Sequence, residues 1–295
     1  MTYVIGHATA LIPRVLDLAS QMRGNLEPAE GSTASRELEA ATSAFQRESL
    51  KSAYHLGNMR LNAVEDFLSG WAATIAAPAV VYTPLVVIRS AFEVGARAWW
   101  LLDPGIPAVE RVRRLTVDRL ESLYQQLRGL GPRFVTDEMP RALALAQEAE
   151  DHGIAVAWGK TEIAGVRFPK PTDKAMPTLT ELANAMLASP DNAPPSGRLI
   201  YSVLSGFSHG EIYALTHVME DISPTEGVEG LWGRAEATAR HDAQYGSVAV
   251  LAYMKAGYAQ EQLHQWDPRL VLPWASQVGD LLSALSEIMR VDPPT

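Results

Sequence analysis

Apolar residues recur at three- and four-residue spacing along most of the chain, which is the period of helices buried on one side. Ser35 to about Ala76 keeps that period with no internal proline. It predicts one long helix, or two joined near Gly57 or Gly70. Pro78 and Pro84 end that run and open the next, with Thr83-Pro84 reading as an N-cap followed by proline at the first helical position. The next element runs to Leu102 and is apolar nearly all round through Val87, Ile88, Phe92, Val94, Trp99 and Trp100, the pattern of an interior helix. It stops at Asp103-Pro104-Gly105. A charged helix from Pro107 to about Arg128 and another from about Asp137 to Asp151 follow.

Residues 153–176 hold three glycines, two prolines and several β-branched residues, which fits an irregular or short hairpin insertion. Thr178 with Glu181 reads as a capping box for a helix to Ala188. After a linker from Pro190, a helix is predicted over Ser196 to Glu220, then a loop over Asp221 to Gly230. Helices from about Leu231 to Gln262 and from about Pro273 to Arg290 complete the chain. With strand signals nearly absent, the expectation is an all-α fold: a single domain over 1–295, built as a bundle of about nine helices. Its parts are long N-terminal helices (35–102), charged helices (107–152), the insertion (153–177) and C-terminal helices (178–290).

Polar residues on apolar faces carry the candidate chemistry. In the segment Arg198 to His217, at ~100° per residue, Arg198, Ser205, His209, Tyr213 and Thr216 share one stripe. Ile200, Val203, Leu204, Phe207 and Leu215 occupy the opposite arc, and Glu211 falls inside that arc. A carboxylate on an apolar face needs a partner or full enclosure. Arg89 and Glu93 stand one turn apart on the interior helix, where each must be paired. Together they predict a polar cluster between two central helices. It comprises Arg89, Glu93 and His209 as candidate catalytic residues, and Tyr201, Ser205, Glu211 and Tyr213 as candidate ligand contacts.

Composition narrows the options. The chain has 295 residues, 47% hydrophobic and 20% charged, enough to bury a large core. Net charge is −9 with a pI near 5.3, which argues against a broad nucleic-acid or anionic-membrane surface. There is no cysteine, so disulfides, thiolate metal sites and a Cys nucleophile are excluded. The longest apolar run, Pro84 to Leu102, contains Arg89, Glu93 and Arg97, each costly in lipid. The amino-terminal apolar run is broken by His7 and Pro13. These features lead to the expectation of a cytoplasmic protein with no membrane partner, and no particular cofactor or metal is implied.

Four short patterns suggest other chemistry. Gly206-Phe207-Ser208-His209-Gly210 matches the G-x-S-x-G nucleophile elbow, which works only on a strand-to-helix turn. Arg234 and His241 have the Arg-x(4–6)-His spacing of HEPN-type ribonucleases. Glu48, His55, Asn62, Glu65 and Asp66 line one face of the first long helix, where a solvated face is the plain interpretation. Glu261 and His264 form one Glu-x-x-His pair, where a di-iron bundle needs two.

Two blocks, RSAFEVGARAWWLLDP at Arg89 to Pro104 and YSVLSGFSHGEIYAL at Tyr201 to Leu215, resemble a broad set of uncharacterised bacterial helical proteins. Those proteins carry an R-x3-E helix ending in W-L-L-x-P and a later Y-x3-S-x3-H-G helix, and some are suspected to be HEPN-like. The resemblance implies an all-helical bundle and draws attention to Arg89, Glu93, Ser205 and His209.

The leading expectation is a protein that binds a small polar ligand in a buried pocket, with acid–base chemistry through His209. The alternatives are a structural or homodimeric interaction protein that uses exposed aromatics such as Trp232 or Trp266, a HEPN-type ribonuclease, and a serine hydrolase.

Overall fold

The computed structural model describes residues 2–23, 27–75, 82–129, 132–163, 166–171, 176–188, 196–211, 213–214 and 239–290. Among these the regular secondary structure is helical except for one two-stranded hairpin, so the all-α expectation holds. The helices are α1 (Thr2–Arg23), α2 (Thr33–Glu39), α3 (Ala44–Ile75), α4 (Thr83–Leu101), α5 (Ala108–Gly129), α6 (Pro132–Asp151), α7 (Leu179–Leu187), α8 (Ser196–His209), α9 (Ala239–His264) and α10 (Pro268–Arg290). The insertion is the antiparallel hairpin β1 (Val156–Ile163) and β2 (Val166–Pro171), with a register irregularity between Trp158 and Glu162.

The first long run breaks at residues 40–43, ahead of both candidate glycines. Ser43 caps α3 there, its hydroxyl accepting from the Gln46 N–H at 3.1 Å. Gly57 is a contact point instead of a joint, since a Cβ there would meet the Leu102 side chain at 2.7 Å. Thr178 and Glu181 form both halves of the expected capping box at the start of α7.

Helices α3, α4 and α9 pack side by side, and α1 and α10 pack on each other and close one flank. The paired helices α7 and α8 lie against α4. The largest core joins Ile12 and Val15 of α1, Leu61, Leu68 and Trp71 of α3, and Leu85 and Ile88 of α4. It continues through Val250 and Tyr253 of α9 to Trp274 and Leu281 of α10. A second core, at the α2–α5–α6 end, joins Leu50, Tyr54, Leu102, Val112, Leu120 and Leu263.

One buried polar chain crosses the main core. Arg23 pairs with Glu65, Tyr253 donates to Glu65 Oε1 at 2.6 Å, and Trp274 Nε1 donates to the Tyr253 hydroxyl at 3.3 Å. Four helices are thereby tied through one polar chain, in which Arg23 Nε alone is left buried without a partner in the protein. Of the face noted in the sequence, Glu48, His55, Asn62 and Asp66 are exposed, while Glu65 belongs to this network.

Candidate functional site

Helix α4 is central, and its Arg89 and Glu93 meet α8 as the sequence predicts. Arg89 Nε donates to Glu93 Oε1 at 2.6 Å, the Tyr201 hydroxyl donates to the same oxygen at 3.0 Å, and the Arg89 guanidinium lies 5.9 Å from the Tyr201 ring centroid. Burial, then the adjacent Glu93 carboxylate, pushes the Tyr201 phenol up and keeps it a donor. The pair is half-buried, not interior, with 17% and 23% of the two side chains exposed. The three groups bond one another and join α4 to α8.

The other residues expected in that cluster lie elsewhere. Helix α8 ends at His209 because Gly210 takes a left-handed φ of +68°. The Glu211 N–H donates to Gly206 O at 2.9 Å and the Gly210 N–H to Phe207 O at 3.3 Å, a Schellman closure. The helical wheel therefore stops at Gly210, and Glu211 is exposed instead of sitting on the apolar arc. His209 is also exposed, two turns and ~12 Å along the axis from Tyr201. Ser205 is half-buried one turn from Tyr201. Tyr213 folds back across α8, its hydroxyl donating to Ser202 O at 2.8 Å while 52% of the residue stays exposed. Glycine is needed at position 206, where a Cβ would come within 2.6 Å of the Ala214 Cβ.

The remaining sequence patterns change meaning in the structure. Ser208 sits in the last turn of α8, its hydroxyl donating to Leu204 O at 3.3 Å, so no strand-to-helix elbow surrounds it. Trp266 is buried and does not offer an exposed dimer contact. Arg234 and Trp232 lie outside the described residues, and His241 lies in α9.

The most prominent cavity is at the other end of the bundle, between α2, α3 and α9. It measures about 620 Å³, and Ser35, Leu38, Tyr54, Asn58, Gln260 and His264 contribute to its wall, with Glu27, Glu39, Arg47, Lys51 and His55 also lining it. Its position follows from two helical stripes. Tyr54 and Asn58 stand one turn apart on the buried face of α3 between Leu50 and Leu61, and Gln260 and His264 stand one turn apart on the buried face of α9 beside Ala256 and Leu263. The segment before α2 is held to the end of α9 by the Ala29 N–H, which donates to His264 O at 3.0 Å.

Behind the cavity, Arg111 is fully buried and fully used. It donates to Leu101 O at 2.9 Å, to Asp103 O at 3.1 Å and to Glu37 Oε2 at 3.2 Å. Glu37 also accepts from the Tyr54 hydroxyl. Burial, then Glu37, pushes the Tyr54 phenol well up. The cavity wall differs. Asn58 Oδ1, Gln260 Oε1 and both ring nitrogens of His264 are buried and have no hydrogen-bond partner in the protein. His264 is 2% exposed, and its ring stands edge-on to Tyr54 at 5.3 Å and tilted against Trp266 at 5.4 Å. Burial, with a smaller push from Arg111, lowers its pKa to about 4, so it is neutral at physiological pH. Neutral imidazole carries one donor and one acceptor.

No group of three or more His, Asp or Glu side chains placed to hold a metal ion is found among the described residues. No described helix is long and apolar enough to cross a membrane. Comparison with known proteins found no matching family model, no similar curated protein and no similar solved structure.

Sequence reasoning missed Tyr54, Asn58 and Gln260 as candidate site residues and weighed His264 only as part of a di-iron pattern. The available signal was the one used for Glu211: a polar residue on an apolar stripe.

Proposed function

We propose that this is a cytoplasmic helical protein that binds a small, uncharged polar ligand in the cavity between α2, α3 and α9. The observation that carries this reading is that three residues lining the cavity, Asn58, Gln260 and His264, hold buried side-chain atoms without a partner: Asn58 Oδ1, Gln260 Oε1 and both nitrogens of His264. A buried polar group without a partner costs about 1–3 kcal/mol, and a ligand that answers several of them recovers that cost. The two carbonyl oxygens and one His264 nitrogen call for N–H or O–H donors, and the other His264 nitrogen calls for an acceptor. Tyr54 and Leu38 supply apolar surface for the body of the ligand. A planar molecule with an amide-like edge fits this set.

The reading is recognition in preference to turnover. A histidine that protonates only near pH 4 is a weak general base at neutral pH but a good hydrogen-bond partner. The Arg89–Glu93–Tyr201 cluster supports a tethering role for those residues, because its hydrogen bonds run between α4 and α8 around one carboxylate oxygen.

The test is a thermal-shift screen of small heterocyclic amides against the full chain, followed by calorimetric titration of hits. Binding of a hit should disappear in His264→Leu and weaken in Asn58→Leu. Hits that bind both variants as tightly as wild type would overturn the proposal.

A further inference from the structure

A second cavity, of about 450 Å³, opens between α3, α4 and α5. Its α3 wall is Leu56 and Arg60, about half a turn around the helix from Tyr54 and Asn58 at ~100° per residue. It is thus a separate site from the one just proposed. Arg60, Arg97 and Arg119 line it, against Asp118 and Glu121. Three guanidiniums converge here in a chain of net charge −9.

The internal acids do not use up these cations. Asp118, 4% exposed, pairs with Arg60 Nη2 through one oxygen. Its other oxygen is 3.8 Å from Arg97 Nη1, a loose contact. Arg97 Nη1 also donates to the Met176 thioether at 3.8 Å, and a thioether is a weak acceptor. Arg60 Nη1 is buried with no partner in the protein. Glu121 is engaged by Gln125, whose amide donates to it at 2.6 Å. Arg119 is exposed at the rim. Burial lowers the Arg60 pKa and Asp118 raises it, with Arg97 opposing it as a like charge. A half-buried arginine with a buried, unpartnered Nη1, facing a like charge, is a site short of an anion.

We propose that this cavity binds the phosphoryl group of a small phosphorylated molecule. Arg60 and Arg97 grip its oxygens, Arg119 closes over it from the rim, and Asp118 holds the Arg60 guanidinium in place. A phosphoryl group suits the site better than a carboxylate because its oxygens point in several directions and three forks approach from three helices. The cavity volume leaves room for the organic part of the molecule.

Inorganic phosphate is the first probe, titrated by calorimetry into the full chain at constant ionic strength against chloride, with acetate as the carboxylate control. Saturable one-to-one phosphate binding is expected, with acetate at least roughly tenfold weaker, a difference of one charge-assisted hydrogen bond. Arg97→Gln should weaken phosphate by a similar factor, and Arg119→Gln should weaken it less. Arg60→Gln strands the buried Asp118 and risks the fold, so the other two variants, both at partly exposed positions, decide the matter. Phosphate binding that survives both substitutions unchanged would overturn the proposal, as would acetate binding as tight as phosphate or the absence of saturable phosphate binding.

Discussion

The Arg89–Glu93–Tyr201 cluster and the Tyr54–His264 cavity both place polar groups among apolar helices, and they treat them oppositely. In the first, the carboxylate accepts from both neighbours, leaving the cluster closed around a half-buried ion pair. In the second, the back wall of Arg111, Glu37 and Tyr54 is bonded throughout, while the face toward the cavity keeps four polar atoms unmatched. A closed cluster fixes how two helices meet. An open one bears a cost that an incoming molecule relieves. Unmatched hydrogen-bonding capacity at a cavity wall, more than polarity on an apolar stripe, separates a candidate site from a tether.

The sharpest break of this contrast is at the bonded back wall. Arg111→Ala leaves Glu37 without its cation and strands the Leu101 and Asp103 carbonyls. It should cost about 3–5 kcal/mol in urea denaturation. Arg111→Lys should recover little, because one ammonium cannot reproduce the planar fork. Near-complete recovery by lysine would show that charge alone matters there.

A pH series comes next in size. His264 has its pKa lowered to about 4 by burial, so its contribution is fully present above about pH 6.5, the unfolded value, and is lost as pH falls toward 4. Asp242, buried near the start of α9 with an unpartnered Oδ1, is raised by burial to about 7. Its contribution is fully present below about pH 4 and is lost as pH rises toward 7. Each changes stability by about 3–4 kcal/mol between the two ends of its window, a slope in the pH profile and not a gain from the side chain's presence. The two slopes oppose each other across nearly the same window, so their sum in the wild type is nearly flat. Asp242→Asn should expose the His264 slope, with stability climbing from pH 4 to 6.5, and His264→Leu should expose the reverse. Two variants with parallel profiles would show that one assignment is wrong.

Smaller effects separate tether from cavity at fixed pH. Glu93→Ala and Tyr201→Phe should each cost about 1–2 kcal/mol. That is less than the loss of a fully buried pair, because solvent still reaches Arg89 and Glu93. His264→Leu at pH 8 should be neutral or stabilising, since it removes two unmatched nitrogens. A loss above about 2 kcal/mol would mean that the ring has a structural partner. Smallest of all, His209→Ala at the exposed end of α8 should shift stability by less than about 0.5 kcal/mol.

The sequence disclosed Arg89, Glu93 and Tyr201 because all three lie in unbroken helix, where spacing converts directly into direction. It misplaced Glu211 and Tyr213 because the wheel was carried through Gly210, whose positive φ ends the helix. The same error put His209 at the centre of a cluster when it stands at an exposed end. The cavity was legible in half: Asn58 and Gln260 are visible as polar intrusions on apolar stripes. That the stripe of α3 faces that of α9 depends on tertiary packing, which the period of either helix alone does not encode. The insertion was open between irregular loop and hairpin because its glycines and prolines argue one way and its β-branched residues the other. Pairing of β1 with β2, beside α5 and α6, resolves it.

The packing of α1 on α10 has a consequence for how the chain comes together. Tyr253 reaches Glu65 across 188 positions of sequence, and the apolar face of α1 is covered by the last described helix. During synthesis α1 is made long before the helix that covers it, so its apolar face stays uncovered until α10 has left the ribosome. Closure of the main core is then a late, long-range event, slow relative to the local pairing of α5 with α6 or of α7 with α8. A shortened chain lacking α10 would keep those local hairpins of helices but leave the flank of α1 uncovered, as a sticky surface instead of a finished wall.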